Sequence, residues 1–402
     1  MDRNSLDWGE LPLEAVILFI AGMTSLIAGA LLIPALAGAI PYYSNGLAGL
    51  ILFYFALQTV LMGKTPFGDL PPSGILLGAG AVIAAAGVAI CVIPSVPAWI
   101  GGWMLFFCLG PGGIVMLVQA VLSPEKIRLW LSLRGVVKPL AVWVPAVYLT
   151  SVLTGAAFLS ASGGEAGWWL VPALLLHGAM VLNLGRVLAS VYKVYPASKP
   201  ETEGRPPIPF GQGMLLMVGV FMILLGLLLL PVSLGILPFA PNAQLGLLMV
   251  IFAVQMAASG ATPLGAFPRS AAMTFLGLAT AAVGVISCIV PGLLEGVIAF
   301  LVAVLNIAGG VLTFIKSLGS LLGAKKTASG DALLLLRRLY VTQTALGVLS
   351  VMFGSSMLFP GVIPGLVVGA VLSANGGVLI YLMVLLGRVE AMKGPISAGE
   401  SI

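Results

Sequence analysis

Residues 219–231 read Gly-Val-Phe-Met-Ile-Leu-Leu-Gly-Leu-Leu-Leu-Leu-Pro, and the apolar run around them extends from Leu215 to Leu230 without a charge. A strand of a membrane barrel would alternate apolar with polar positions, and this run does not. In hydrocarbon the backbone has to satisfy its own N–H and C=O groups, so a continuous apolar segment of this length predicts a spanning α-helix. Two glycines seven residues apart and a terminal proline punctuate it. That punctuation proves to be the rule of the chain.

Working outward, 60% of the 402 residues are hydrophobic and only 8% are charged. A soluble domain of this size has too little interior to hide that much apolar surface. Apolar runs predict spans at 14–38, 46–63, 74–94, 98–122, 138–160 and 168–190, then at 212–235, 244–260, 271–291, 295–317, 338–359 and 364–387. The fold class expected is an all-α integral membrane protein with twelve transmembrane helices.

The 18 Lys and Arg residues settle the expected orientation. Each falls in a terminus, in an even-numbered loop, or at the helix end beside one. Positive charge is retained on the cytoplasmic side, so both termini and the even loops are placed inside a bacterial inner membrane. The odd loops are short and nearly neutral, with Glu165 and Glu295 as their charges, and most carry a proline where a helix is expected to stop. Acidic residues dominate the N-terminus, where a signal peptide would be basic, so the first span is read as retained.

A shift of 197 residues superposes Gly22 on Gly219, Gly29 on Gly226, Pro34 on Pro231, Asn45 on Asn242, Gln58 on Gln255, Gly80 on Gly277, Gly87 on Gly284 and Cys91 on Cys288. The motif Gly63-x-Thr65-Pro66-x-Gly68 falls on Gly260-x-Thr262-Pro263-x-Gly265 in the same register. The chain therefore reads as a first six-span repeat at 1–194, a Pro- and charge-rich cytoplasmic linker at 195–211, and a second six-span repeat at 212–402. Within each repeat the pattern Gly-x6-Gly followed by Pro recurs, last at Gly347, Gly354 and Pro360. Seven residues are two helical turns, so Gly22 and Gly29, Gly80 and Gly87, Gly219 and Gly226, Gly277 and Gly284, and Gly347 and Gly354 each share one face. Small residues there let helix backbones approach closely. The expectation is six glycine-rich helical hairpins in two tandem halves, each hairpin closed by an odd loop.

The glycine-spaced helix ending at a proline-marked turn, clearest at Gly219–Pro231, resembles the HdeD-like (DUF308) family of bacterial membrane proteins. That resemblance implies six-span units of three hairpins, here two units fused in tandem, and a role in envelope stress or acid tolerance. It implies no catalytic residues.

The search for chemistry returns few candidates. No Walker motif, HExxH or GxSxG occurs, and the single histidine excludes bis-histidine haem ligation by this chain alone. No enzymatic activity, cofactor or metal is expected. Cys91, Cys108 and Cys288 show no metal-ligand spacing and read as small core residues. The polar intramembrane candidates are His177, the only titratable group near mid-span, the symmetric pair Gln58 and Gln255, and Asn183. Each fits interhelical hydrogen bonding as well as a polar path. The basic inner loops suit anionic lipid headgroups, and nucleic acid is not needed to explain the net charge of +5. Three functions follow as expectations: a non-enzymatic protein of HdeD-like type, a secondary transporter or channel with its path at the interface of the halves, or an anchor subunit of a larger complex or homo-oligomer. The topology is checked by single cysteines at Lys126 and Glu165, which are expected to react with an impermeant thiol reagent from opposite sides of the membrane.

Overall fold

The computed structural model describes residues 11–65, 68–70, 73–122, 128, 130–132, 135–162, 167–195, 210–323, 331–359, 361 and 363–397. Among them, twelve helices are long and apolar enough to cross a membrane. They are α1 (Leu13–Leu36), α2 (Ser44–Met62), α3 (Gly74–Val92), α4 (Ala98–Leu122), α5 (Leu140–Ser162) and α6 (Leu170–Val194) in the first repeat. The second repeat supplies α7 (Phe210–Ser233), α8 (Pro241–Ser259), α9 (Ala271–Ile289), α10 (Glu295–Gly323), α11 (Asp331–Leu358) and α12 (Gly365–Ser397). The protein is a multi-pass helical membrane protein. The linker at 195–211 lies mostly outside the described residues.

The helices before Pro94 and Pro291 end at Val92 and Ile289, as the odd-loop prolines suggested, and two other motif prolines sit inside the spans as predicted. Pro34 and Pro231 lie inside the last turns of α1 and α7, and their carbonyls accept from Ala39 and Ile236 in the turns beyond. A proline near a C-terminus removes only one internal hydrogen bond, so the helix survives two residues past it. After α2 and α8, the repeated Gly-x-Thr-Pro-x-Gly motif forms a small antiparallel hairpin, β1 (Lys64–Thr65) with β2 (Gly68–Asp69) and β3 (Ala261–Thr262) with β4 (Gly265–Ala266). Gly63 and Gly260 end the helices at φ +70° and +72°, a left-handed conformation that glycine alone adopts without strain.

Close packing is made by glycines, but not within the expected hairpins. The tightest pairs are α1 with α6, α2 with α3, α4 with α5, α8 with α9, and α7 with α12. Gly22 meets Gly178, Gly29 meets Leu175, and Gly80 meets Val60. Gly87 meets Gly49, Gly219 meets Gly376, and Gly226 meets Gly369. Gly277 meets Ala253 and Ala257, Gly284 meets Gly246, Gly347 meets Gly310, and Gly354 meets Ala303. The first helix of each repeat thus packs on its last, and the others pair across even loops. The i, i+7 spacing marks which face is small. It does not say which neighbour that face receives. Large apolar side chains point the other way: Trp99, Trp103, Phe107, Ile114 and Val118 form an exposed stripe on α4, and Trp99, Trp168 and Trp169 are exposed at the odd-loop end. Such surface suits acyl chains and an interfacial aromatic belt.

The described chain divides into two compact units, α1–α6 with α8 and α9, and α7 with α10–α12. The compact units cut across the repeats, because contacts and ancestry divide the chain differently. In the first unit the repeats meet with pseudo-two-fold symmetry. Tyr43 N–H donates to the Ile289 carbonyl and Ala240 N–H to the Val92 carbonyl, both at 2.9 Å, and the two bonds are exchanged by the 197-residue shift. Cys91 and Cys288 donate to the carbonyls of Gly46 and Ala243, again equivalent positions, at 3.6 Å. In the second unit the Pro263 carbonyl of the β3–β4 turn rests on Gly309.

A Cβ at Gly284 would sit 2.6 Å from the Gly246 carbonyl oxygen, whereas one at Gly78 meets nothing within 4 Å. Gly284→Val is therefore expected to lower the melting temperature in detergent, by the equivalent of about 1–3 kcal/mol. Gly78→Ala is expected to leave it unchanged or raise it. Equal stability of the two variants would refute backbone-level packing at Gly284.

Candidate functional site

Inside the first unit lies a cavity of about 330 Å³ walled by α1, α2, α4, α5 and α6, all from the first repeat. It runs from mid-helix to the even-loop end, where Thr65 of β1, Trp130, Leu140 and Leu188 bound it. A hydrophobic cluster of Leu18, Val137, Leu140, Val181 and Leu184 lies at that end, with Trp130 packed against it. At about 30 Å³ per water, the space suits about eleven waters or a small solute. Among the described residues no Asp, Glu, Lys or Arg lines it. Charge has no partner there, so the lining disfavours ions and fits uncharged molecules.

The polar wall is built from side chains one turn apart on each helix. On α1, Thr24 Oγ1 donates to the Ile20 carbonyl at 2.8 Å and Ser25 Oγ to the Ala21 carbonyl at 3.1 Å. On α5, Thr154 Oγ1 donates to the Thr150 carbonyl at 2.8 Å and approaches the Ala173 carbonyl of α6 at 3.3 Å. These hydroxyls spend their proton on the helix four residues back, which leaves their lone pairs as acceptors. His177 on α6 is held by Thr150, whose Oγ1 lies 3.1 Å from Nδ1 and 2.9 Å from the Ala146 carbonyl. With the threonine proton directed to Ala146, the imidazole proton sits on Nδ1 and Nε2 is left as an acceptor.

Tyr54 supplies the donor. Its side chain lines the cavity and is 4% exposed, and its hydroxyl is buried without a hydrogen bond of acceptable geometry, beside the Thr24 hydroxyl. A buried phenol left so costs stability, and it is satisfied by a molecule that offers it an oxygen or nitrogen.

Two of the polar residues marked from sequence, Gln58 and His177, come together on this cavity. Gln255 and Asn183 do not line it; Asn183 Nδ2 donates to the Ala179 carbonyl of its own helix at 2.8 Å. Cys91 and Cys288 are buried core residues, while Cys108 lines the cavity. Among the described residues no three His, Cys, Asp or Glu side chains converge as metal ligands would.

Tyr54, Thr24, Ser25, Ser151 and Thr154 were missed by sequence reasoning, which sought polar residues matched between repeats. The useful signal is mismatch. The 197-residue shift places Phe221 at Thr24, Met222 at Ser25 and Ile251 at Tyr54. The glycine contacts likewise set Phe353 at Thr154 and Asn375 at His177. Phe221, Met222, Ile251 and Phe353 are all buried. Polar lining in one repeat has become bulky filling in the other.

Comparisons with models of protein families, with curated proteins and with solved structures found no match.

Removing the Tyr54 hydroxyl abolishes a desolvation cost without breaking a well-formed bond. Tyr54→Phe is therefore expected to keep or raise the ligand-free melting temperature, by up to the equivalent of about 1–3 kcal/mol. A clear fall would show instead that the hydroxyl holds the helices together.

Proposed function

We propose that this protein is a non-enzymatic transporter or channel for a small uncharged solute, with its solute site in the inner cavity of the first repeat. The carrying observation is a cavity lined by Tyr54, Gln58 and His177, in which Thr24, Ser25 and Thr154 direct their protons to backbone carbonyls and keep lone pairs as acceptors, with no Asp, Glu, Lys or Arg among the described lining residues. The solute this chemistry suits presents an acceptor to Tyr54 and donors to Thr24, Ser25, Thr154 and His177. Its apolar part lies against Phe55, Leu109 and Leu174. The path proposed runs within the first repeat, where the sequence alone suggested the interface of the halves.

The orientation proposed is that of the charge pattern, with both termini and the even loops cytoplasmic in a bacterial inner membrane. The Arg269 guanidinium donates to the Leu11 carbonyl, which supports one membrane face for the chain start and the eighth loop. On this orientation the cavity lies toward the cytoplasm. The glycine and proline pattern supports an HdeD-like ancestry, and it carries no information about the solute.

The test is solute entry into proteoliposomes, followed by stopped-flow light scattering with a panel of neutral polyols and small amides. Permeability to at least one of them is expected to exceed that of protein-free liposomes. Tyr54→Phe combined with Gln58→Leu is expected to change that permeability several-fold, as the loss of one or two hydrogen bonds of about 1 kcal/mol implies. Permeability equal to empty liposomes across the panel would refute the transport reading.

A further inference from the structure

The first repeat encloses a second cavity of about 330 Å³, at the odd-loop end, lined among others by Leu32, Tyr42, Asn45, Gly102, Phe158 and Ser162. Asn45 Nδ2 donates to the Val96 carbonyl at 2.8 Å, which ties the start of α2 to the turn before α4. The five helices that wall this outer cavity are the five that wall the inner one: α1, α2, α4, α5 and α6. Both lie in the one interior that these five helices enclose, one above the other along the helix axes.

The linings nearly meet. On α2 the outer lining ends at Ala48 and the inner begins at Ile51. On α5 Phe158 lines the outer cavity and Thr154 the inner, and on α6 the corresponding residues are Leu170 and Leu174. At 1.5 Å rise per residue, about 5–6 Å of helix separates them on these three walls. On α1, from Ser25 to Leu32, and on α4, from Gly102 to Cys108, the gap is about 9–11 Å, so the layer is one side chain thick on three walls and about two on the others. The layer is apolar, formed by Ile51, Phe158, Leu170 and Leu174 together with Leu105 of α4, and Leu105 and Leu174 are fully buried.

We infer that the two cavities are the vestibules of one conduit through the first repeat, closed by this apolar layer. The inference rests on the transport reading of the inner cavity and adds an outer subsite and a gate. A narrow apolar layer excludes water and blocks passage until its side chains part. Phe158 forms the floor of the outer vestibule and is the side chain whose displacement opens it most directly.

The experiment uses the full chain with Cys91, Cys108 and Cys288 replaced by alanine, and a single cysteine introduced as S162C (outer) or S151C (inner). An impermeant, uncharged polyol-linked methanethiosulfonate reagent is applied from one side of oriented vesicles. S162C is expected to react from the odd-loop side only, and S151C not to react from that side. Adding Phe158→Ala or Leu170→Ala is expected to let the odd-side reagent reach S151C. If neither variant does so while eluting as a monodisperse protein, the conduit is overturned. Labelling needs no solute, so the two readings fail separately. Labelling that crosses the layer without flux of any neutral solute sinks the choice of solute, and flux without crossing sinks the conduit.

Discussion

The structure depends on carbonyl-to-glycine contact between helix backbones. In lipid, apolar side chains gain nothing by leaving solvent, so helices associate through close packing. Several of the closest approaches pair a glycine with a glycine on the facing helix: Gly22 with Gly178, Gly49 with Gly87, Gly246 with Gly284, Gly226 with Gly369; Gly29 and Gly80 instead receive Leu175 and Val60. With the backbones in contact, the large side chains have to go elsewhere. They point to the lipid, as on α4, or into the ring. This inverts the water-soluble pattern of large residues inside and small residues at turns.

Within the first repeat, contact between α1 and α6 brings its first and last helices together, so the interior is walled by five helices. Close-packed pairs around a ring leave an unfilled centre unless large side chains enter it. Where the centre carries Thr24, Ser25, Ser151 and Thr154, small hydroxyls leave space and their own backbones satisfy them. Where the second repeat substitutes Phe221, Met222 and Phe353, the equivalent positions are buried and filled. At these inward positions the two halves of the sequence differ, with hydroxyls in the first where the second has buried Phe and Met.

The reciprocal bonds Tyr43 to Ile289 and Ala240 to Val92 have the form of a symmetric dimer interface, in which each half offers the other the same donor and acceptor. Asn45 and Asn242, at equivalent places, donate within their own repeats to the carbonyls of Val96 and Ser287. A fused pair of six-span units can keep such an interface while one unit alone retains a site.

Much of this was legible in the sequence, because lipid imposes simple rules. Long uncharged runs have to be helices, basic residues gather beside one set of loops, and a constant offset reveals the duplication. Gln58 and His177 stood out because amides and imidazoles are costly at membrane depth. Tyr54 did not stand out, since a tyrosine in an apolar helix is ordinary until its hydroxyl is seen to lack a hydrogen bond. The sequence by itself determined the number and limits of the spans, the repeat and the small face of each helix, because these follow from local composition and spacing. Only the tertiary structure decided that α1 closes on α6, that Gln58 and His177 face one cavity while Gln255 and Asn183 do not, and that two cavities share five walls. Those outcomes depend on which face meets which across the membrane. A periodic pattern of glycines permits many such pairings, and the packing of whole helices selects one.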